Sequence, residues 1–124
     1  MKVYVAGPMQ GYPDFNFPTF ARATAWLRKQ GHFVFSPAER DLERDKERGV
    51  DTVTNATGDI KEAAAKGFSL RDALTDDTHF ICQTANAIAM LPGWENSKGA
   101  QAEWALARAL GHKIMYLTEE DYGA

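Results

Sequence analysis

Apolar residues recur along this chain with two alternating periods. Lys2 to Ala6 (KVYVA) is a β-branched and aromatic run cut off by Gly7-Pro8, which predicts a buried strand followed by a loop. From Phe17 to Gln30 the spacing turns helical. Phe20, Ala23 and Leu27 recur at intervals of three and four, and Gly31 supplies the stop. His32 to Phe35 predicts a second short strand that ends at Ser36-Pro37. A strand, a helix and a strand in the first 36 residues make a βαβ unit with a right-handed crossover. The alternation resumes with a helix over Leu70 to Gln83 and a strand over Ala87 to Leu91 (AIAML) closed by Pro92-Gly93. An Ala-rich helix over Gly99 to Leu110, stopped by Gly111, precedes a last strand over Lys113 to Leu117. This order predicts an α/β fold: a small doubly wound, Rossmann/flavodoxin-like parallel sheet of about four to five strands with helices on both faces. No internal repeat divides the chain, so 1–124 is expected to be a single domain.

One stretch does not fit the alternation. The segment from Ser36 to Phe68 is too long for a simple connection and holds a charged and polar insertion at about 38–68. Nine of the ten residues from Glu39 to Arg48 are charged with signs interspersed, which reads as a solvated helix. A lid or an oligomer contact is the other reading of such an insertion near a sheet's carboxyl edge.

Composition narrows the class. With 124 residues, 44% of them hydrophobic, one core is possible without staples, and the single cysteine, Cys82, excludes an internal disulfide framework. Cys82 has no obvious base partner and is expected to be a buried small hydrophobe. A net charge of −3 argues against a nucleic-acid polymer as partner, and no run of about 18 apolar residues is present to span a bilayer. The start lacks a signal-peptide pattern, so a cytoplasmic protein is the expectation. A small-molecule enzyme, a binding module or a subunit of a larger assembly remain.

In open α/β sheets ligands bind beyond the carboxyl ends of the strands, where the strand order reverses. Gly7 to Gly11 and Pro92 to Ser97 leave such ends and should face one crevice. Neither matches a dinucleotide or P-loop fingerprint. Ser97 is placed to cap the following helix, Gly99 leaves its amides uncovered and Lys98 adds a positive charge, together a reasonable anion site. Glu103 has Leu106, Ala107 and Leu110 as its neighbours on the helix, so its carboxylate lies on or beside the apolar stripe. There it either pairs with Arg108 or Lys98 or serves chemistry. Asp72, Asp76 and Asp77, in the helix before AIAML, offer a second acid. Two carboxylates are the minimum kit for glycosidic cleavage. The three histidines share no ligand spacing, so no metal site is expected, and glycosidic cleavage by two carboxylates needs no cofactor.

Three segments together resemble, in order and spacing, the markers of the nucleoside 2-deoxyribosyltransferase superfamily. They are Tyr4-Val5-Ala6-Gly7-Pro8, the run Ala85 to Leu91, and Ser97-Lys98-Gly99-Ala100-Gln101-Ala102-Glu103. Leu91 to Ser97 with the following Gly-Ala and Glu is similar to a phage and prophage group within it. The likeness covers most of the chain apart from Glu39 to Gly67. It implies that Glu103 is the nucleophile attacking C1′ of a 2′-deoxyribosyl group, that Tyr4 orients it, and that Asp77, or else Asp76 or Asp72, handles the base or its proton. In the transferases an Asp six residues before the nucleophile holds the sugar 5′-hydroxyl. Here that position is Ser97, as in the related deoxynucleoside 5′-monophosphate N-glycosidases, which seat phosphate on this helix N-terminus. The implied substrate contacts are Gly7, Pro8, Gln10, Asn96, Ser97, Lys98 and Gly99. The chain departs from the pattern at Gln10, where the glycosidases have an arginine, and at Asn86, where the family has Asp. The resemblance implies an N-glycosidase of 2′-deoxynucleoside 5′-monophosphates. Base exchange between deoxynucleosides and non-catalytic nucleotide binding are the alternatives. It also implies a homo-oligomer, dimer or larger, at whose contacts Trp94, Trp104 or Tyr122 would contribute.

Overall fold

Four strands carry the molecule: β1 (Lys2–Ala6), β2 (Phe33–Phe35), β3 (Ala87–Met90) and β4 (Lys113–Tyr116). They form one all-parallel sheet in the order β2-β1-β3-β4, in a computed structural model that describes residues 1–123. β1 and β3 lie in the middle because they are apolar on both faces, and every residue from Val3 to Ala6 and from Ala87 to Met90 is buried. β1 pairs with β2 through Val3 opposite Val34, and with β3 through Val3 opposite Ala87. The chain leaves β1 in one direction for β2 and returns on its other side for β3, so the strand order reverses between β1 and β3.

Period-two alternation splits each central strand between two cores. Val3, Val5, Ala87 and Ala89 face α1 (Phe17–Lys29), which sends down Phe20, Ala23 and Leu27, and the short α6 (Glu119–Tyr122). Tyr4, Ala6, Ile88 and Met90 face α4 (Leu70–Gln83) and α5 (Lys98–Ala109), through Phe80, Ile81, Ala100 and Ala107. Each large apolar side chain so buried stabilises the fold by roughly 1.5–3 kcal/mol. On the second face Tyr4 stacks on Phe35 at 5.7 Å and Phe35 on Phe80 at 4.7 Å, which fixes the Tyr4 ring.

The insertion is ordered into α2 (Pro37–Arg48) and α3 (Ile60–Ala65). Ser36 caps α2, accepting from the Glu39 amide at 3.4 Å, and Gly49 ends it at φ +67°. α2 is solvated on one face only, with Glu43, Lys46, Glu47 and Arg48 exposed. Asp41, Arg44 and Asp45 are buried, whereas Leu42, the one apolar residue of the charged run, is 49% exposed. Beyond it, Val53 and Ala63 join Phe15 in a satellite cluster with Met9 and Phe68 against it. Hydrogen bonds from Gly11 N to Gly58 O (2.9 Å) and Asp14 N to Asn55 O (2.7 Å) tie this segment to the loop after β1. Gly58 stands at φ +65°, and a Cβ there would lie 2.2 Å from the Tyr12 carbonyl oxygen, so no other residue fits.

Three expectations fail on burial. Cys82 is exposed, because it sits near the C-terminal end of α4 on the side away from the sheet. Leu110 is 45% exposed, since the stripe on α5 ends at Ala107 and Leu110 already belongs to the helix cap. Tyr122 packs into the first core and is not available to a neighbouring subunit. No helix among the described residues is long and apolar enough to cross a membrane.

Candidate functional site

A cavity of about 390 Å³ opens at the carboxyl ends of β1 and β3, where the strand order reverses. Its floor is the β1 end. Gly7 is needed there for close approach, as a Cβ would lie 2.7 Å from Cβ of Leu91 at the end of β3. Pro8 and Gln10 continue the wall, and Asn96, Ser97, Lys98 and Gly99 form the opposite one. Tyr4, Asp77 and Glu103 point in from β1, α4 and α5, so these three and the seven implied substrate contacts all line this cavity.

The chemistry centres on Glu103. Its carboxylate is 6% exposed, and Oε2 accepts a 2.6 Å hydrogen bond from the fully buried Tyr4 hydroxyl. Neither Lys98 nor Arg108 pairs with it: Lys98 lines the cavity, and the Arg108 guanidinium lies 4.6 Å over the Trp104 ring. Burial, reinforced by the Asp77 charge, pushes the Glu103 carboxyl up to about 8 despite the Tyr4 donor. Burial likewise raises the Tyr4 hydroxyl well above its ordinary value, so it stays a proton donor. Asp77 is buried as deeply, and its Oδ1 has no hydrogen-bond partner. Burial, then the charge of Asp41, pushes it up to about 7. These acids titrate as a coupled set. Burial acts harder on Glu103 than on Asp77, about 8 against about 7, and hydrogen bonding acts the other way, since Glu103 receives the Tyr4 hydroxyl and Asp77 Oδ1 receives no donor; a Glu103 carboxylate therefore requires the shared proton to rest on Asp77.

The far wall presents backbone amides at the start of α5. Ser97 Oγ accepts from the Ala100 amide at 3.2 Å and caps α5 as expected. The amides of Lys98 and Gly99 have no protein partner among the described residues, and a Cβ on Gly99 would meet nothing within 4 Å. Gln101 folds back to donate its side-chain amide to the Glu95 carbonyl, holding the turn Trp94–Asn96 in front of the helix.

Other candidates sit elsewhere. Asp72 is exposed, and Asp76 turns to Arg40 (3.1 Å) and Arg44 (2.6 Å). Trp94 packs against Trp104 at 5.1 Å with the rings tilted by 35°, and does not line the cavity. Asn86 is structural: its Oδ1 accepts from the Lys2 amide at 2.8 Å at the start of the sheet. Among the described residues no three His, Cys, Asp or Glu side chains gather closely enough to hold a metal ion. Sequence reasoning missed Asp41, Tyr12 and Phe68, which also line the cavity. Asp41 was findable, since it lies one turn into the helix that leaves the carboxyl end of β2, beside the reversal of strand order.

Residues 1–116 match the family described as a domain of unknown function, DUF4406, and the chain belongs to that family. No curated protein and no solved structure matches it.

Proposed function

We propose that this DUF4406 protein is an N-glycosidase that cleaves the base–sugar bond of a 2′-deoxynucleoside 5′-monophosphate. The observation that carries the reading is the buried Glu103 carboxylate, held by Tyr4 at 2.6 Å, in one cavity with the unpartnered Asp77. Glu103 attacks C1′, the C1′–N bond breaks, and its electron pair leaves with the base, which takes the proton from Asp77. Water then attacks C1′ of the glycosyl ester, gives its proton to Asp77, and frees deoxyribose 5-phosphate and the Glu103 carboxylate. A 2′-deoxy sugar has no electron-withdrawing 2′-hydroxyl, so positive charge at C1′ develops readily and a single carboxylate can trap it. The free amides of Lys98 and Gly99, with the Lys98 ammonium, support a phosphate on that wall. The reading carries with it a cytoplasmic homo-oligomer, whose mass sedimentation would give.

The test is incubation of the purified chain with 2′-deoxynucleoside 5′-monophosphates and the matching deoxynucleosides, with and without an acceptor base, following free base by chromatography. Base release from a monophosphate, abolished by Glu103→Gln, is the expected result. Product only with an acceptor base would mean base exchange. Tight binding of an intact nucleotide, unaffected by Glu103→Gln, would mean a non-catalytic binder.

A further inference from the structure

The charged helix α2 reaches the cavity chiefly through Asp41, and it brings a cation with it. Asp41 and Arg44 lie one turn apart on the buried face of α2. Arg44 Nη1 donates to Asp41 Oδ1 at 2.9 Å, and Nη2 donates to Asp76 Oδ2 at 2.6 Å. Asp41 lines the cavity with Asp77, and Asp76 is the neighbour of Asp77 along α4. One guanidinium therefore joins the two helices at the point where each presents an acid to the site. Desolvating such a cluster is costly, and a helix this rich in charge could avoid the cost by turning the group to water.

We propose that Arg44 is a positioning residue: it holds Asp41 as a carboxylate in the cavity wall, so that the proton in the cavity stays on Asp77, the group that must give it to the leaving base. The proposal rests on the glycosidase reading above. Asp77 is faced by Tyr4 from β1, by Glu103 and Lys98 from α5, by Asp41 and Arg44 from α2, and by Asp76 beside it. Among the described residues Arg44 is the one cation within ion-pair distance of Asp41. Arg40 reaches Asp76 at 3.1 Å, so Asp76 keeps a partner without Arg44. The nearby Asp45 is engaged by Thr52, whose amide and hydroxyl donate to it at 2.8 and 2.6 Å. Without Arg44, Asp41 becomes a buried carboxyl with no donor and competes with Asp77 for the proton. Even with Arg44 present, burial pushes Asp41 up to about 6.

Two substitutions should move the site in opposite directions. Arg44→Met withdraws a positive charge from the acid set and should shift the pH profile of base release upward by roughly one unit, with a severalfold loss of kcat at neutral pH and little change in KM. Asp41→Asn withdraws a negative charge and should shift the profile downward. Arg44→Lys should restore most of the wild-type profile. The same three proteins and the wild type, labelled with ¹³C at aspartate carboxyls and titrated by NMR without substrate, should show the Asp41 signal titrating upward towards that of Asp77 in Arg44→Met and returning in Arg44→Lys, and the Asp77 signal titrating downward in Asp41→Asn. If Arg44→Met fails to fold by circular dichroism, Asp41→Asn and Arg44→Lys still decide. An unshifted profile and titration in the folded variants, or Arg44→Lys losing as much activity as Arg44→Met at an unchanged profile, would overturn the proposal in favour of a purely structural clamp. If the wild type releases no base from any substrate, the glycosidase reading fails, while the NMR titration still reports whether Arg44 controls where the proton sits.

Discussion

Glu103 on α5 and Asp45 on α2 are equally hidden, each 6% exposed, yet they are satisfied in opposite ways. Asp45 accepts the Thr52 amide on one oxygen and the Thr52 hydroxyl on the other, so both oxygens are engaged in closing the loop after α2. Glu103 accepts one tyrosine hydroxyl, has no cation beside it, and borders the cavity. A buried carboxylate with all its donors is a staple. One left short of donors at the carboxyl edge of a parallel sheet holds its charge at a cost and is free to react. Burial alone does not separate the two cases, and the count of donors does.

The largest expected effect comes from the less satisfied member. Glu103→Gln should lower base release by about a thousandfold or more while leaving the fold intact, since it removes the attacking oxygen and also the buried charge. Asp45→Ala should do the reverse, keeping kcat within about twofold per folded molecule. A variant of Glu103 that lost stability and activity in proportion would place it with Asp45 and break the contrast.

The next effect appears in stability against pH. Burial raises the Glu103, Asp77 and Asp41 carboxyls in the folded protein to about 8, 7 and 6, whereas in the unfolded chain they ionise near 4. Their stabilising contribution is therefore complete below about pH 4 and is lost as pH rises through 6 to 8, a decline of a few kcal/mol in unfolding free energy. Denaturant unfolding at a series of pH values should show that decline, and Glu103→Gln should flatten its upper part. A stability flat from pH 5 to 9 in the wild type would mean that the three acids are better solvated than their burial implies.

Asp45→Ala itself should cost roughly 1–3 kcal/mol, because the Thr52 donors lose their acceptor in a buried place. Tyr4→Phe tests the single donor of Glu103. The ring keeps its stack on Phe35, but the carboxylate loses the bond that favours its ionised form. Glu103 should then bind its proton more tightly, moving the acid limb of the pH profile upward with roughly a tenfold loss of kcat. An unchanged acid limb would remove Tyr4 from the site.

The same contrast explains what could be read in the sequence. β1 and β3 were legible to within about a residue as short apolar runs cut off by Gly7-Pro8 and Pro92-Gly93, and α5 by its helical spacing, and the ends of β1 and β3 then brought Gly7, Pro8, Asn96, Ser97 and Glu103 to one place. The burial of α2 was not legible. When nine residues in ten are charged, periodicity has almost nothing to follow, and the one apolar residue, Leu42, faces outward while Asp41 and Arg44 face inward. The direction of that helix is set by pairing: Arg44 finds Asp76 on α4, a partner 32 residues away that no local pattern announces. Cys82 was misplaced for a related reason, since its burial depended on which side of α4 turns from the sheet near the helix end.

The smallest effect concerns the amides of α5, where satisfied and unsatisfied groups again stand side by side. Ser97 Oγ occupies the Ala100 amide, while the Lys98 and Gly99 amides have no protein partner among the described residues. Gly99→Ala fits the space and should stabilise the helix by about 0.5–1 kcal/mol through propensity alone. The same methyl group would stand over the uncovered amides. If a phosphate sits there, the variant should bind a 2′-deoxynucleoside 5′-monophosphate severalfold more weakly by calorimetry and the corresponding deoxynucleoside no differently. Equal weakening of both would move the contact from the phosphate to the sugar, and no weakening of either would leave those amides to water, as inert to ligand as the oxygens of Asp45.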